Sequence, residues 1–105
     1  MKLQNRSHFK FIEQYTCQLT ETIDTLANLD TKNSPCFYHY IMADKDMLQN
    51  KCLAICVPGG TIGDIYIDDN NNITKIFIAT NYIIRNYPDD INEILKEFIG
   101  QKIEL

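Results

Sequence analysis

The chain has 105 residues, 45% of them hydrophobic and 23% charged, with a formal net charge of -4. That length holds one domain, residues 1–105, which can take roughly 65% of its unfolded surface out of water without a metal or disulfide staple. The composition excludes the disordered, collagenous and membrane-embedded classes. The acidic balance disfavours nucleic acid and anionic lipid as partners and favours a basic one.

Met1 to Phe11 carries basic residues but no continuous apolar stretch of the kind a secretory signal needs, and no later segment approaches a membrane span. A cytoplasmic protein is expected, with its four cysteines reduced. Between Phe9 and Leu29 the apolar positions Phe9, Ile12, Thr16, Leu19, Ile23 and Leu26 recur every three or four residues, which predicts one long amphipathic helix. Glu13, Cys17, Glu21 and Asp24 fall on its polar side. Turn-prone residues from Asp30 to Pro35 end it.

Four strands are predicted next: Cys36 to Met42, Cys52 to Val57, Ile62 to Ile67 and Ile73 to Ala79. Their connectors, DKDMLQN, PGG and DDNNN, read as turns, and links this short favour antiparallel neighbours. Tyr82-Ile83-Ile84 fits either a fifth short strand or a helical turn. From Pro88 onward, Asp89 and Asp90 suit a helix start, Ile91, Ile94, Leu95, Phe98 and Ile99 make an apolar stripe, and Gly100 stops it. The expected class is α+β in the order α-β-β-β-β-α, an antiparallel sheet packed by N- and C-terminal helices.

The stretch CVPGGTIGDIYIDDNNNI, Cys56 to Ile73, raises two ligand chemistries, and spacing rejects both. An EF-hand loop begun at Asp68 meets Ile73 where glycine belongs and Ala79 where glutamate belongs. A phosphate loop needs a lysine and a following helix, whereas Gly59-Gly60-Thr61-Ile62-Gly63 runs into the strand Asp64-Ile65-Tyr66-Ile67. Pro58-Gly59 then reads as a tight turn, Gly63 as a bulge or close approach, and the asparagines as hosts for left-handed backbone. No cofactor or metal is expected: Cys52 and Cys56 stand about 13 Å apart along a strand, and Cys36 and His39 face opposite sides.

Cysteine-dependent catalysis would need Cys17 or Cys36 to meet His8 or His39, and no spacing brings them together. His39, inside an aromatic run, reads as a packed, hydrogen-bonded histidine, so no enzymatic activity is expected. What remains is surface. Asp64, Tyr66 and Asp68 alternate onto one side of their strand, with Asp69 following and Asp44 and Asp46 in another connector. These six form the first candidate face for a protein partner, and Glu13, Cys17, Glu21 and Asp24 form the second.

In size, acidity and absence of catalytic motifs the chain resembles the immunity proteins of bacterial toxin systems. The resemblance implies a specific inhibitor that covers the active site of a basic, nuclease-like toxin, and it carries over no individual residue. The competing expectation is a small-molecule sensor with a pocket between sheet and helices lined by Phe37, Tyr38, Tyr40 and Phe77.

Overall fold

The computed structural model describes residues 1–6, 13–28 and 38–104. Within them the chain is an α+β unit built on a six-stranded antiparallel sheet whose strands follow sequence order. The strands are β1 (Gln4–Asn5), β2 (Gln14–Thr16), β3 (Tyr40–Met42), β4 (Cys52–Val57), β5 (Gly60–Ile67) and β6 (Ile73–Ile78). The helices are α1 (Gln18–Asn28), α2 (Lys45–Gln49), α3 (Thr80–Asn86) and α4 (Ile91–Ile94), with a 3-10 turn at Leu95–Phe98.

Side-chain alternation divides the sheet into two faces. Ile41 pairs with Ile55, Leu53 with Ile65, Ile65 with Ile76 and Gly63 with Ile78, so these positions share the inner face. There they form one core with Leu19, Ile23 and Ala27 of α1 and with Ile91, Leu95 and Phe98. Each fully buried isoleucine or leucine contributes about 1.5–3 kcal/mol relative to exposure. The outer face carries Tyr40, Met42, Cys52, Ala54, Cys56, Asp64, Tyr66, Lys75 and Phe77, again fixed by register.

β4 matches its predicted span, β5 starts two residues early at Gly60, and β6 ends one residue early at Ile78. β3 is shorter than expected: Tyr38 and His39 precede it as irregular chain, and Cys36 and Phe37 lie outside the described residues. The predicted glycine roles hold. Gly59, at φ +112°, completes the Pro58-Gly59 turn, and Ile62 is the extra residue of a β4–β5 bulge beside Gly63.

Three expectations need correction. The single N-terminal helix is replaced by strand β2 followed by α1, and Phe9, Ile12 and Leu29 lie outside the described residues. Gln14 and Tyr15 instead complete the sheet by pairing with Met42 and Ile41, while Tyr15 and Thr16 pair with Asn5 and Gln4. The DKDMLQN connector contains α2, because the Asp44 carboxylate accepts the Met47 N–H at 2.8 Å as an N-cap. At the C-terminal end, Asp90 is the N-cap residue of α4, and the chain tightens to 3-10 geometry after Ile94. This rotates Ile99 out of the stripe to 44% exposure. Gly100, at φ +91°, ends the segment as expected, and Tyr82-Ile83-Ile84 is helical within α3.

Both ends of edge strand β6 are covered. Asn92 imitates a strand partner, accepting the Ile78 N–H at 2.9 Å and donating to the Ile78 carbonyl at 3.3 Å. At the other end the Ile73 N–H donates to Gln101 O at 2.9 Å. The segment from Gln101 to Glu104 then continues past Asn71 to Leu3, burying Ile103 and joining β6 to the N-terminal chain. Covering the ends of an edge strand shortens the stretch left free to template pairing with another chain.

Candidate functional site

The outer face is unevenly covered. On the β3–β4 side Tyr40, Ala54 and Cys56 are buried in a small cluster with Tyr38, Met42 and Met47 packed against it. Arg6 lies over the Tyr38 ring at 3.9 Å. On the β5–β6 side the face is open: Tyr66 is 40% and Phe77 41% exposed. Lys75 stands between them, its ammonium 5.7 Å from each ring centroid, within the range of a cation–π contact.

Asp64 sits beside this aromatic pair, opposite Phe77 on β6 and Ala54 on β4. Together with α2 it borders a groove of about 300 Å³. Asp64, Cys52 and Ala54 line it from the strands; Asp44, Asp46 and Met47 line it from the helix side. Three of the six residues of the first predicted face, from two separate parts of the chain, therefore meet at one groove. Among the described residues none of these three carboxylates forms an ion pair.

Asp68 and Asp69 lie elsewhere. Asp68 follows the last residue of β5, and its carboxylate accepts the Asn70 and Asn72 N–H groups, each at 2.9 Å, and the Asn72 side-chain amide at 3.3 Å. The Asn72 N–H and its neighbours hold the Asp68 carboxyl below its ordinary pKa. Asn71 takes the left-handed conformation at φ 63° that the turn requires. This run is thus a loop organised around one carboxylate. Asp69 is almost fully exposed and pairs with Lys51 at 3.8 Å. Among the described residues no three His, Cys, Asp or Glu side chains are grouped to hold a metal ion.

The second predicted face does not assemble. Glu13 precedes β2 and accepts the Tyr15 hydroxyl at 2.8 Å. Cys17 is only 6% exposed and lies just before α1, where the Thr20 hydroxyl accepts its N–H and donates to its carbonyl, each at 2.8 Å. Glu21 is exposed and lines an open groove of about 450 Å³ toward Glu97 and Gln101. Asp24 turns inward to His39.

His39 is fully buried. The Asp24 carboxylate accepts its backbone N–H at 2.6 Å and lies 2.7 Å from Nδ1, while Nε2 is 2.6 Å from the Tyr87 hydroxyl. A carboxylate at Nδ1 places the proton there, leaving Nε2 to accept the Tyr87 O–H. Burial pulls the His39 pKa down, against the opposing pull of Asp24. Burial likewise drives the Tyr87 phenol up. This group ties α1, the start of β3 and the chain after α3 into one core, as expected of a packed histidine.

Burial also raises the thiol pKa of Cys17, Cys52 and Cys56, and Asp64 adds to the rise at Cys52. An activated nucleophile needs the opposite shift. All three are expected to react slowly with iodoacetamide at pH 7 in the native protein and quickly after denaturation. Native labelling of one of them faster than a free cysteine would contradict this environment. Cys36 and His8 lie outside the described residues.

Of the residues proposed for an apolar pocket, Tyr40 and Phe77 are on the outer face and three strands apart, so they share no cavity between the sheet and α1. Phe37 lies outside the described residues. Two residues of the open face, Lys75 and Phe77, were not among the predicted partner-binding positions. The signal was present in the hairpin, since residues opposite each other across the DDNNN turn share a face. Among the described residues no helix is long and apolar enough to cross a membrane. Comparison with protein-family models, with curated proteins and with solved structures found no match.

Proposed function

We propose that this chain is a protein-binding inhibitor of the immunity type, which neutralises a basic toxin domain by laying the open half of its outer sheet face over the toxin's active site. The observation that carries the reading is the placing of two half-exposed aromatics, Tyr66 and Phe77, beside a groove bordered by three carboxylates that form no ion pair among the described residues. Protein interfaces concentrate binding energy in such aromatic anchors. Complementary charge beside them accelerates encounter and suppresses wrong partners.

The face is also held rigidly, since β5 is a central strand and both ends of β6 are fastened. A preorganised surface loses less entropy on binding. The net charge of -4 favours a basic partner at long range. A gene for a secreted toxin beside the gene for this chain would identify the candidate partner.

With that partner in hand, Tyr66→Ala and Phe77→Ala are each expected to weaken binding by about 30-fold, as for central anchors worth about 2 kcal/mol. Asp64→Lys should act mainly on the association rate and flatten its salt dependence. Unchanged affinity in all three variants, measured by surface-immobilised binding kinetics, would remove this face from the interface.

A further inference from the structure

We infer that the open half of the outer face also pairs with itself, joining two copies of this chain face to face in a weak two-fold dimer. Tyr66 and Phe77 are two of the three large hydrophobic side chains exposed among the described residues, and both stand on this patch. Register arranges the patch as a checkerboard. Asp64 lies opposite Phe77 and Tyr66 opposite Lys75, so the two rings occupy one diagonal and the two opposite charges occupy the other. Diagonal neighbours across a strand pair stand about 7–8 Å apart, within reach of long side chains.

Such a checkerboard is complementary to its own copy. A two-fold axis lying between two facing sheets along the Tyr66–Phe77 diagonal returns each ring to its counterpart and exchanges the other two corners. Asp64 of each copy then meets the other copy's Lys75, twice over, as an isologous interface requires. An axis along the other diagonal would set like charge on like, and an axis along or across the strands would set each charge on a ring. With ~3.4 Å of rise per residue and ~4.8 Å between strands, the aromatic diagonal makes the strands of the two sheets cross at roughly 70°. That is near the orthogonal class of sheet packing.

The single chain leaves both charges available for this exchange. Among the described residues neither Asp64 nor Lys75 forms an ion pair, and the Lys75 ammonium rests 5.7 Å from each ring centroid instead of on Asp64. Face-to-face contact takes the exposed ring surface out of water and supplies a carboxylate to an ammonium that carries three donors and no acceptor. The patch is small beside a standard interface of about 800 Å² per partner, and the net charge of -4 on each copy opposes approach. The dimer is therefore weak, with a dissociation constant of roughly 0.1–1 mM. It uses the surface assigned to the toxin, so a second copy and a bound toxin exclude each other.

Sedimentation equilibrium of the full chain alone, from about 10 µM to about 2 mM, tests the pairing across that range of affinity. The apparent mass should rise from the 12.2 kDa of one chain toward twice that value, and Phe77→Ala should weaken association about tenfold or more. Asp64→Lys and Lys75→Asp should each stay monomeric alone, because like charges then meet at both corners. An equimolar mixture of the two should associate, because every corner then joins opposite charges. Should Asp64→Lys lower the melting temperature, the exposed positions Lys75→Asp and Phe77→Ala still carry the test. A chain monomeric at the highest concentration, a dimer that survives Phe77→Ala or Lys75→Asp, or folded single variants that do not associate on mixing would overturn the pairing. A monomeric chain whose toxin affinity falls with Tyr66→Ala removes the dimer and leaves the inhibitor. Association of the mixed variants in a chain that binds no basic protein does the reverse.

Discussion

His39→Ala is expected to destabilise the protein by about 3–5 kcal/mol, the range for breaking a buried polar network and leaving a cavity. The ring is fully buried and bridges Asp24 and Tyr87 at 2.7 and 2.6 Å. Alanine removes both contacts and the ring volume together, leaving the Tyr87 hydroxyl without the acceptor at Nε2. A domain of this size holds about 5–15 kcal/mol in total, so the variant should be near the edge of folding. Tyr87→Phe, which removes one hydroxyl from the same group, should cost only about 1–2 kcal/mol. Urea unfolding of both variants checks the ordering; equal losses would mean that the ring contributes nothing beyond its hydrogen bond to the Tyr87 hydroxyl.

The same group sets a pH dependence. The folded-state pKa of His39 is lowered by burial, so the unfolded chain takes up the proton more readily, near its ordinary value of about 6.5. The neutral ring's contribution is therefore complete above that value and declines as pH falls below it. Stability should drop between about pH 7 and 5, and the drop should be shallower in His39→Gln. Asp68 acts in the same direction at lower pH. Its pKa is lowered by the loop amides, so its contribution is present above the unfolded carboxylate value and lost as pH falls through the folded one.

Gly63→Ala is the second large effect, expected at about 3 kcal/mol, the upper part of the range for forcing extra volume into a packed site. A β-carbon added at Gly63 would collide with the backbone carbonyl oxygen of Phe77 and stand 3.2 Å from Ile78 Cα. Both obstacles are backbone of the paired strand, so no rotamer change relieves them. The strands must separate or the bulge at Ile62 must shift, and either movement displaces Phe77 and Asp64 from their shared register. Reduced melting temperature should therefore accompany weaker partner binding. Gly60→Ala is the control, because open space surrounds that position. Equal melting temperatures for the two variants would show that β5 and β6 have slack the structure does not reveal.

The central hairpins were legible because their chemistry is local. Apolar runs and alternation marked β4, β5 and β6, and Pro58-Gly59 and the asparagines marked the turns. β1 and β2 were not, since Gln4-Asn5 and Gln14-Tyr15-Thr16 carry no alternating pattern and are held by pairing with distant chain. The three-and-four spacing of Phe9, Ile12 and Thr16 fitted a helix that Leu19, Ile23 and Ala27 begin only later. α2 was hidden because DKDMLQN is polar enough to pass as a turn, and only the structure shows Asp44 capping a helix there.

The candidate site was legible in part. Alternation put Asp64 and Tyr66 on one side, but Asp68 left that side when its carboxylate became the hub of the loop. The meeting of Asp44 and Asp46 with Asp64 depends on α2 lying against β4, which no spacing encodes. His39 meets residues 15 and 48 positions away, a contact only the tertiary fold creates.

Hydrogen exchange of the chain with and without its toxin partner locates the surface that meets a basic protein. Protection on binding should be confined to β5, β6 and α2, with α1 unchanged, and Tyr66→Ala or Phe77→Ala should weaken the complex. Protection centred on α1 around Glu21, or a complex insensitive to both substitutions, would contradict it.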